Sequence, residues 1–247
     1  MEKWEGKLAV VTGASSGIGA VITQKFAENG INVIALARRY ELIVENIRNI
    51  GETRGRIHPH RCDVSDYESI KETFKWIEDN FGTIDILINN AAIVTFSRAL
   101  DESEETTELI NQVINTNLNG LVHCTRKAIE IMKKYGNNSI IINIASMLAH
   151  HIPYLGFSAN IYPATKFAVR GFEEMIQHEL IMEKNSNIRI GNISPGIVAT
   201  DMISKEMLET SPHIMPEDVA NAVLYVISTP VNVNISDLII HSVCSVV

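Results

Sequence analysis

Short apolar runs alternate along the chain with longer segments in which apolar residues recur at helical spacing. The runs fall near 8–12, 32–37, 57–61, 84–89, 139–144, 188–193 and 235–240. They are short enough for strands and apolar enough for burial on both faces. Ile70, Phe74, Ile77 and Phe81 make one stripe of a helix, with Glu68, Lys71, Lys75 and Glu78 elsewhere on it. Asp66 ahead of this helix and Ser103 ahead of the next suit N-caps. Longer helical stretches cover 107–135 and 161–182. Such alternation predicts an α/β fold, doubly wound, because each right-handed crossover carries a helix over one face of a parallel sheet. The strand order it suggests is 3-2-1-4-5-6-7. The stretch 195–215, rich in Met, Ser, Thr and Pro, has no clear period. It reads as a substrate lid beyond the sixth strand, with an ordinary surface excursion as the alternative.

The first strand, Leu8-Ala9-Val10-Val11, runs into Thr12-Gly13-Ala14-Ser15-Ser16-Gly17-Ile18-Gly19 and then into a helical pattern at 20–29. Strand, glycine turn and helix suit a Rossmann-type unit, in which unpaired N–H groups at the helix start would face a pyrophosphate, although such turns also occur with no ligand. Three residues separate the first two glycines and one separates the last two, which departs from the common dinucleotide fingerprint.

The 247 residues are 46% hydrophobic and 20% charged, with a net charge of −8. That is an ordinary globular composition without a basic face, so nucleic acid is excluded as a partner and a small molecule is favoured. No apolar run approaches the ~18 residues of a membrane span. The start, Met1-Glu2-Lys3-Trp4-Glu5-Gly6-Lys7, does not resemble a secretory leader, so a cytoplasmic protein is expected. Cys62, Cys124 and Cys244 are odd in number and lack metal-ligand spacing. With no repeat or linker, residues 1–247 read as a single dinucleotide-binding catalytic domain.

Tyr162 and Lys166 lie four apart at the start of a helical run, hence on one face and one turn apart. A phenol has a pKa of ~10, and a nearby positive charge favours its ionised form. Ser146 follows the fifth apolar run, where its hydroxyl could orient a substrate oxygen or merely cap the strand end. Asn117 sits within a helical stretch that its amide disfavours.

These residues, in this order, resemble the short-chain dehydrogenase/reductase family over essentially the whole chain. Residues 12–19 resemble its glycine motif, Asn89-Asn90-Ala91-Ala92 its motif after strand four, and Tyr162 with Lys166 its Tyr-x-x-x-Lys pair. Ser194-Pro195-Gly196-Ile197-Val198-Ala199-Thr200 resembles the segment that meets the nicotinamide carboxamide. The resemblance implies hydride transfer between a nicotinamide and a carbinol carbon, with no metal. Tyr162 would exchange the hydroxyl proton, Ser146 would orient the substrate, and Lys166 would bind ribose hydroxyls. Asn117 would hold a relay water. Two departures stand out. Ala92 replaces a glycine, so a positive φ there would be strained by ~1 kcal/mol, and Pro163 disfavours an α conformation at Tyr162.

For the cofactor, Ala37 ends the second strand without an acidic side chain, and Arg38 and Arg39 follow. Arginines pair with a 2′-phosphate, so NADP(H) is favoured, the alternative being two solvated surface residues. Around it the resemblance places Gly13, Ser15, Ser16, Gly17, Ile18 and Gly19 on the phosphates. It adds Asp63 and Val64, Asn90, Ala91 and Ala92, and then Pro195, Gly196, Val198 and Thr200. The substrate is assigned to Ser146, Met147, Leu148, Tyr154, Phe157 and Met202, with Ile93, Val94, Ile152, Ile203 and Met207 as further apolar candidates. Methionines line adaptable pockets, which suggests a lipophilic alcohol or carbonyl. Met1-Glu2-Lys3-Trp4 and residues 216–230 resemble the subgroup of insect farnesol dehydrogenases and vertebrate carbonyl and steroid reductases. A terpenoid alcohol such as farnesol is the first choice, against a carbonyl or 17β-hydroxysteroid reductase and a non-catalytic NADP(H)-binding protein. The family also implies a homodimer or homotetramer, with which outward apolar residues such as Val169 and Phe172 would agree.

Overall fold

The computed structural model describes residues 1–154 and 156–245; Leu155, Val246 and Val247 lie outside it. Seven strands, β1 (Leu8–Thr12), β2 (Asn32–Ala37), β3 (Ile57–Arg61), β4 (Ile86–Asn89), β5 (Ser139–Ile144), β6 (Ile188–Pro195) and β7 (Asp237–Ile240), form one sheet. Its order is β3-β2-β1-β4-β5-β6-β7, all pairs parallel, as the alternation predicts. The helices are α1 (Gly17–Glu28), α2 (Tyr40–Ile50), α3 (Tyr67–Phe81), α4 (Glu104–Ile114), α5 (Leu121–Tyr135), α6 (Tyr162–Met182), α7 (Lys205–Thr210) and α8 (Pro216–Ser228).

Because strand side chains alternate, the central strands feed two cores at once. Ala9, Val11, Ile86, Ile88, Ile140 and Ile142 pack with Ile22 and Phe26 of α1 and Val219 and Val223 of α8. Val10, Leu87 and Ile141 pack on the other face with Ile70, Phe74 and Ile77 of α3 and Ala128 and Met132 of α5. Both expected caps are present: Asp66 accepts from Glu68 N at 3.0 Å and Ser103 from Thr106 N at 3.2 Å.

Buried amides cross the sheet in a directed row. Asn89 Nδ2 donates to Asn143 Oδ1 at 3.0 Å, Asn143 Nδ2 to Asn192 Oδ1 at 3.1 Å, and Asn192 Nδ2 to Glu173 Oε2 at 3.4 Å. Burial pushes the Glu173 carboxyl up to about 7. At one edge of the fold Trp4, 3% exposed, donates its indole N–H to Ile227 O at 2.7 Å, and Lys3 Nζ reaches the carbonyls of Ser228 and Thr229. The first turn of the chain thereby satisfies orphan carbonyls at the end of α8.

Four expectations change. The stretch 107–135 is not one α-helix, since a π-helical turn, Asn115–Gly120, separates α4 from α5. The segment 195–215 holds α7, opened by Ser204 accepting from Met207 N at 3.2 Å. Val169 is not outward-facing: it is fully buried with Leu121, Ala145 and Ala149, because α6 packs against the short turn Met147–Ala149 as well as the sheet. Phe172 packs on the same cluster. Ala92 is free of the expected strain, for Asn160 and Lys184 are the non-glycine residues with positive φ among those described.

Candidate active site

The carboxyl ends of the strands open onto one cleft of about 530 Å³, where ligands of open α/β sheets bind. Its floor at β1 is the glycine turn. Gly13 has φ +67°, and a Cβ there would lie 2.9 Å from Ala91 Cα. A Cβ on Gly19 would come within 2.5 Å of Gly13 O and Asn90 Nδ2. The turn therefore needs glycine to bring the β1 and β4 ends together, and it sets the start of α1, with its unpaired N–H groups, at the cleft. Thr12 ties the same two ends, its Oγ1 accepting from Asn90 N at 3.0 Å and Ala91 N at 3.1 Å. Asn90 Nδ2 returns a bond to Thr12 O at 2.9 Å.

Ser15, Ser16, Gly17 and Ile18 line the cleft, as do Arg38 and Arg39 at the end of β2. Arg39 reaches back over the turn, donating to Ser16 Oγ at 2.8 Å and Ser15 Oγ at 3.3 Å. Among the described residues the arginines in ion pairs are Arg54, Arg61 and Arg170, so the charges of Arg38 and Arg39 remain available. Asp63 and Val64 form the adjoining wall, with Asp63 Oδ1 accepting from Ser65 N and Oγ at 2.9 and 2.7 Å. Asn90, Ala91 and Ala92 line the middle, and Pro195, Gly196, Val198 and Thr200 the far side.

At the deep end β5 delivers Ser146 and α6 delivers Tyr162 and Lys166 to the same cleft. Helix α6 begins at Tyr162 with Pro163 in its first turn, where a missing N–H costs nothing, so the proline is accommodated. Lys166 is 3% exposed, and its ammonium donates to Ile144 O at 2.7 Å and lies 5.5 Å from the centroid of the Tyr162 ring. Burial pushes Lys166 down to about 8. Tyr162 is half-buried as a residue, but protein crowds its hydroxyl, and burial pushes the phenol up to about 12, with the Ser146 hydroxyl drawing it back slightly. In the protein alone, desolvation outweighs the hydrogen bond from Ser146. The expected acidic phenol is thus a protonated one at neutral pH.

Three of the expected site residues do not line the cleft. Gly19 is buried beneath the turn and serves the close packing described above. Asn117, in the π-helical turn, accepts from Ile93 N at 2.8 Å and donates to Ile93 O at 2.9 Å, with a longer reach to Thr165 Oγ1 at 3.4 Å. It clamps the loop after β4 against α6. Tyr154 is fully exposed, because the irregular segment after the Ser146 turn sends Phe157 inward and Tyr154 out.

Met147, Leu148, Phe157 and Met202 do line the cleft, together with Ile93, Val94, Ile203 and Met207. Ile152 does not. Phe96 joins them and was not foreseen; the only hint in the sequence is a lone aromatic in the polar run Thr95-Phe96-Ser97-Arg98. His150 points elsewhere, its Nε2 lying 3.1 Å from both Ser194 Oγ and Asp237 Oδ2.

A glycine cradle beside a phenol, an ammonium and a serine hydroxyl, all at the carboxyl edge of this sheet, defines a nicotinamide-dependent oxidoreductase site. A family model described as short chain dehydrogenase matches residues 7–210, and the chain belongs to that family. It is similar to the farnesol dehydrogenase of Aedes aegypti, 40% identical over 246 residues covering 98% of each chain. It is also similar to dehydrogenase/reductase SDR family member 11 of Mus musculus, 36% identical over 252 residues and covering 96% and 95% of the two chains. Among solved structures, the alcohol dehydrogenase of Thermococcus sibiricus complexed with 5-hydroxy-NADP superposes with a TM-score of 0.82 at 28% identity over 97% of both chains. No helix among the described residues is long and apolar enough to cross a membrane.

Proposed function

We propose that this protein is an NADP(H)-dependent oxidoreductase of lipophilic alcohols and carbonyls, with a terpenoid alcohol such as farnesol as its first substrate. The observation that carries the reading is the meeting of Ser146, Tyr162 and Lys166 at the end of a cleft whose remaining wall is largely apolar. The 40% identity to a farnesol dehydrogenase supports the terpenoid choice. When bound, the cofactor supplies the acceptor or donor of a hydride. Gly13, Gly17 and the first N–H groups of α1 would hold its phosphates, and Lys166 its ribose hydroxyls. Arg39, already poised over Ser15 and Ser16, and Arg38 would take the 2′-phosphate that distinguishes NADP from NAD.

The Ser146 hydroxyl orients the substrate oxygen toward the Tyr162 phenol. In reduction the protonated phenol donates to the oxygen as negative charge grows on it, and in oxidation the phenolic oxygen accepts the alcohol proton. The buried ammonium of Lys166 stabilises the phenolate left after donation. Asn117 works through the residues it holds. The relay water that the family implies would be held beside Asn117, whose side chain is engaged on Ile93.

A second reading, a carbonyl or steroid reductase, is supported by the 31% identity over 240 residues to the 3alpha-hydroxysteroid dehydrogenase of Mediterraneibacter gnavus. The segment around α7, which brings Met202, Ile203 and Met207 to the cleft, acts as a lid in either case. We also read the protein as a homo-oligomer of cytoplasmic residence, with residues 1–247 as one catalytic domain. A panel of farnesol, estrone and small diketones, assayed with NADP(H) and NAD(H) at one pH, tests the assignment. Turnover of farnesol with NADP⁺ above the others supports it, and turnover confined to estrone or the diketones replaces it with the second reading.

A further inference from the structure

Two irregular loops close the apolar end of the cleft, residues 90–103 between β4 and α4 and, among those described, residues 150–154 and 156–161 between the Ser146 turn and α6. They meet at two points. Phe96 of the first packs edge to face on Phe157 of the second, with ring centroids 5.8 Å apart and an interplanar angle of 67°. Beside them Asn160 Nδ2 donates to Ser97 Oγ at 2.5 Å. Asn160 has φ +51°, and its Oδ1 accepts from Ile161 N at 2.6 Å, which fixes the turn two residues before Tyr162. The clasp between the loops is therefore built onto the start of the helix that carries the phenol.

An aromatic pair inside a core is dry. This one is not: Phe96 is 50% exposed and Phe157 46% exposed, and both line the cleft. Such apolar surface gains free energy only when something covers it. A short alcohol held at Ser146 and Tyr162 leaves the rings wet, whereas a long apolar chain running up the cleft covers them. We propose that Phe96 and Phe157, held opposite one another by Asn160 and Ser97, form an aromatic gate that sets the preference for long apolar chains over short ones. The inference rests on the alcohol and carbonyl reading given above and adds the residues that measure the chain.

Prenol, geraniol and farnesol share one allylic carbinol and differ only in tail length, so their kcat/KM values with NADP⁺ read the gate directly. In the wild-type protein kcat/KM rises along the series. In the Phe96→Ala/Phe157→Ala double variant the farnesol-to-prenol ratio falls about tenfold or more, with the loss of farnesol efficiency in KM rather than kcat. Phe96→Leu/Phe157→Leu, which keeps most of the apolar surface, recovers part of the ratio. Asn160→Gly, which preserves the left-handed backbone and deletes the bridge to Ser97, lowers the ratio by a smaller factor. An unchanged ratio in the double alanine variant overturns the gate while leaving the site assignment intact. If the wild-type protein turns over none of the three alcohols, the same ratio is read with butanal and dodecanal and NADPH. Failure of both series removes the alcohol and carbonyl reading, and the gate with it.

Discussion

Lys166 spends its hydrogen bond on the main chain rather than on the phenol: its Nζ donates to Ile144 O at 2.7 Å while sitting 5.5 Å from the Tyr162 ring centroid. The hydrogen bond fixes where the positive charge stands, at the end of β5 and one helical turn from Tyr162. Ser146 leaves the same strand end two residues later. One strand terminus therefore positions both groups that act on the phenol.

Tyr162→Phe removes the proton carrier and little else, since the ring stays in place. We expect turnover to fall by about 100- to 10,000-fold with cofactor affinity retained. Single-turnover rates alongside NADPH fluorescence titration check this, and near-normal rates in the variant would exclude Tyr162 from proton transfer.

The buried ammonium should be visible in stability. Lys166 has its folded pKa lowered from 10.5 to about 8. Below both values the protonated form is carried into the fold at a cost; between about 8 and 10 the unfolded chain binds the extra proton, so stability rises with pH. Urea titrations should show the wild type gaining about 1–3 kcal/mol relative to Lys166→Met across that window. A parallel pH dependence of the two proteins would contradict the desolvated environment.

Glu173 has the opposite sign. Its folded pKa is raised from 4.5 to about 7, so the folded state holds the extra proton between those values and its stabilising effect is lost as pH rises. Glu173→Gln should remove about 1–3 kcal/mol of that pH-dependent decline. Denaturation midpoints at pH 5 and pH 8 measure it.

Arg39 is the sharper of the two cofactor tests because its position over Ser15 and Ser16 is fixed by hydrogen bonds. Loss of a charge-assisted contact of about 1.5–3 kcal/mol predicts roughly ten- to hundredfold weaker NADPH binding in Arg39→Ala. NADH binding should change far less. Calorimetric titration of both cofactors gives the answer, and equal losses would detach the arginine from 2′-phosphate recognition.

Helix α6 separates an interface test from a folding test. Phe167, Gly171 and Met175 share one exposed face, with Phe167 40% and Met175 47% exposed, whereas Val169 is fully buried. Phe167→Glu should shift the light-scattering mass to a smaller species with a small change in Tm. Val169→Asp should instead destabilise the protomer by more than about 3 kcal/mol. If Phe167→Glu leaves the mass unaltered, this face is not the contact.

The strands were legible because a parallel sheet covered on both faces demands uninterrupted apolar runs, and little else in a chain produces them. Their ends were less so. The apolar run at 84–89 suggested an earlier start for β4, but Asp85 is occupied by Leu8 N at 2.9 Å, and β4 begins one residue later. The phenol, ammonium and serine were readable through the resemblance to the family, since a tyrosine and a lysine four apart on a helix are commonplace by themselves. Their protonation was not, because burial sets the direction of both shifts and burial is a property of the fold. A π-helical turn differs from an α turn by one residue of register, which no residue type announces. Phe96 escaped notice because its partner, Phe157, lies far along the chain in a second loop without periodicity.

The indole of Trp4 and the carbonyl of Ile227 are 223 positions apart. During synthesis the segment around Trp4 can meet Gly30 and Asn32 early, but its bond to α8 must wait until residue 227 has left the ribosome. Its docking to α8 is thus among the later contacts of folding, ahead of the addition of β7 to the sheet.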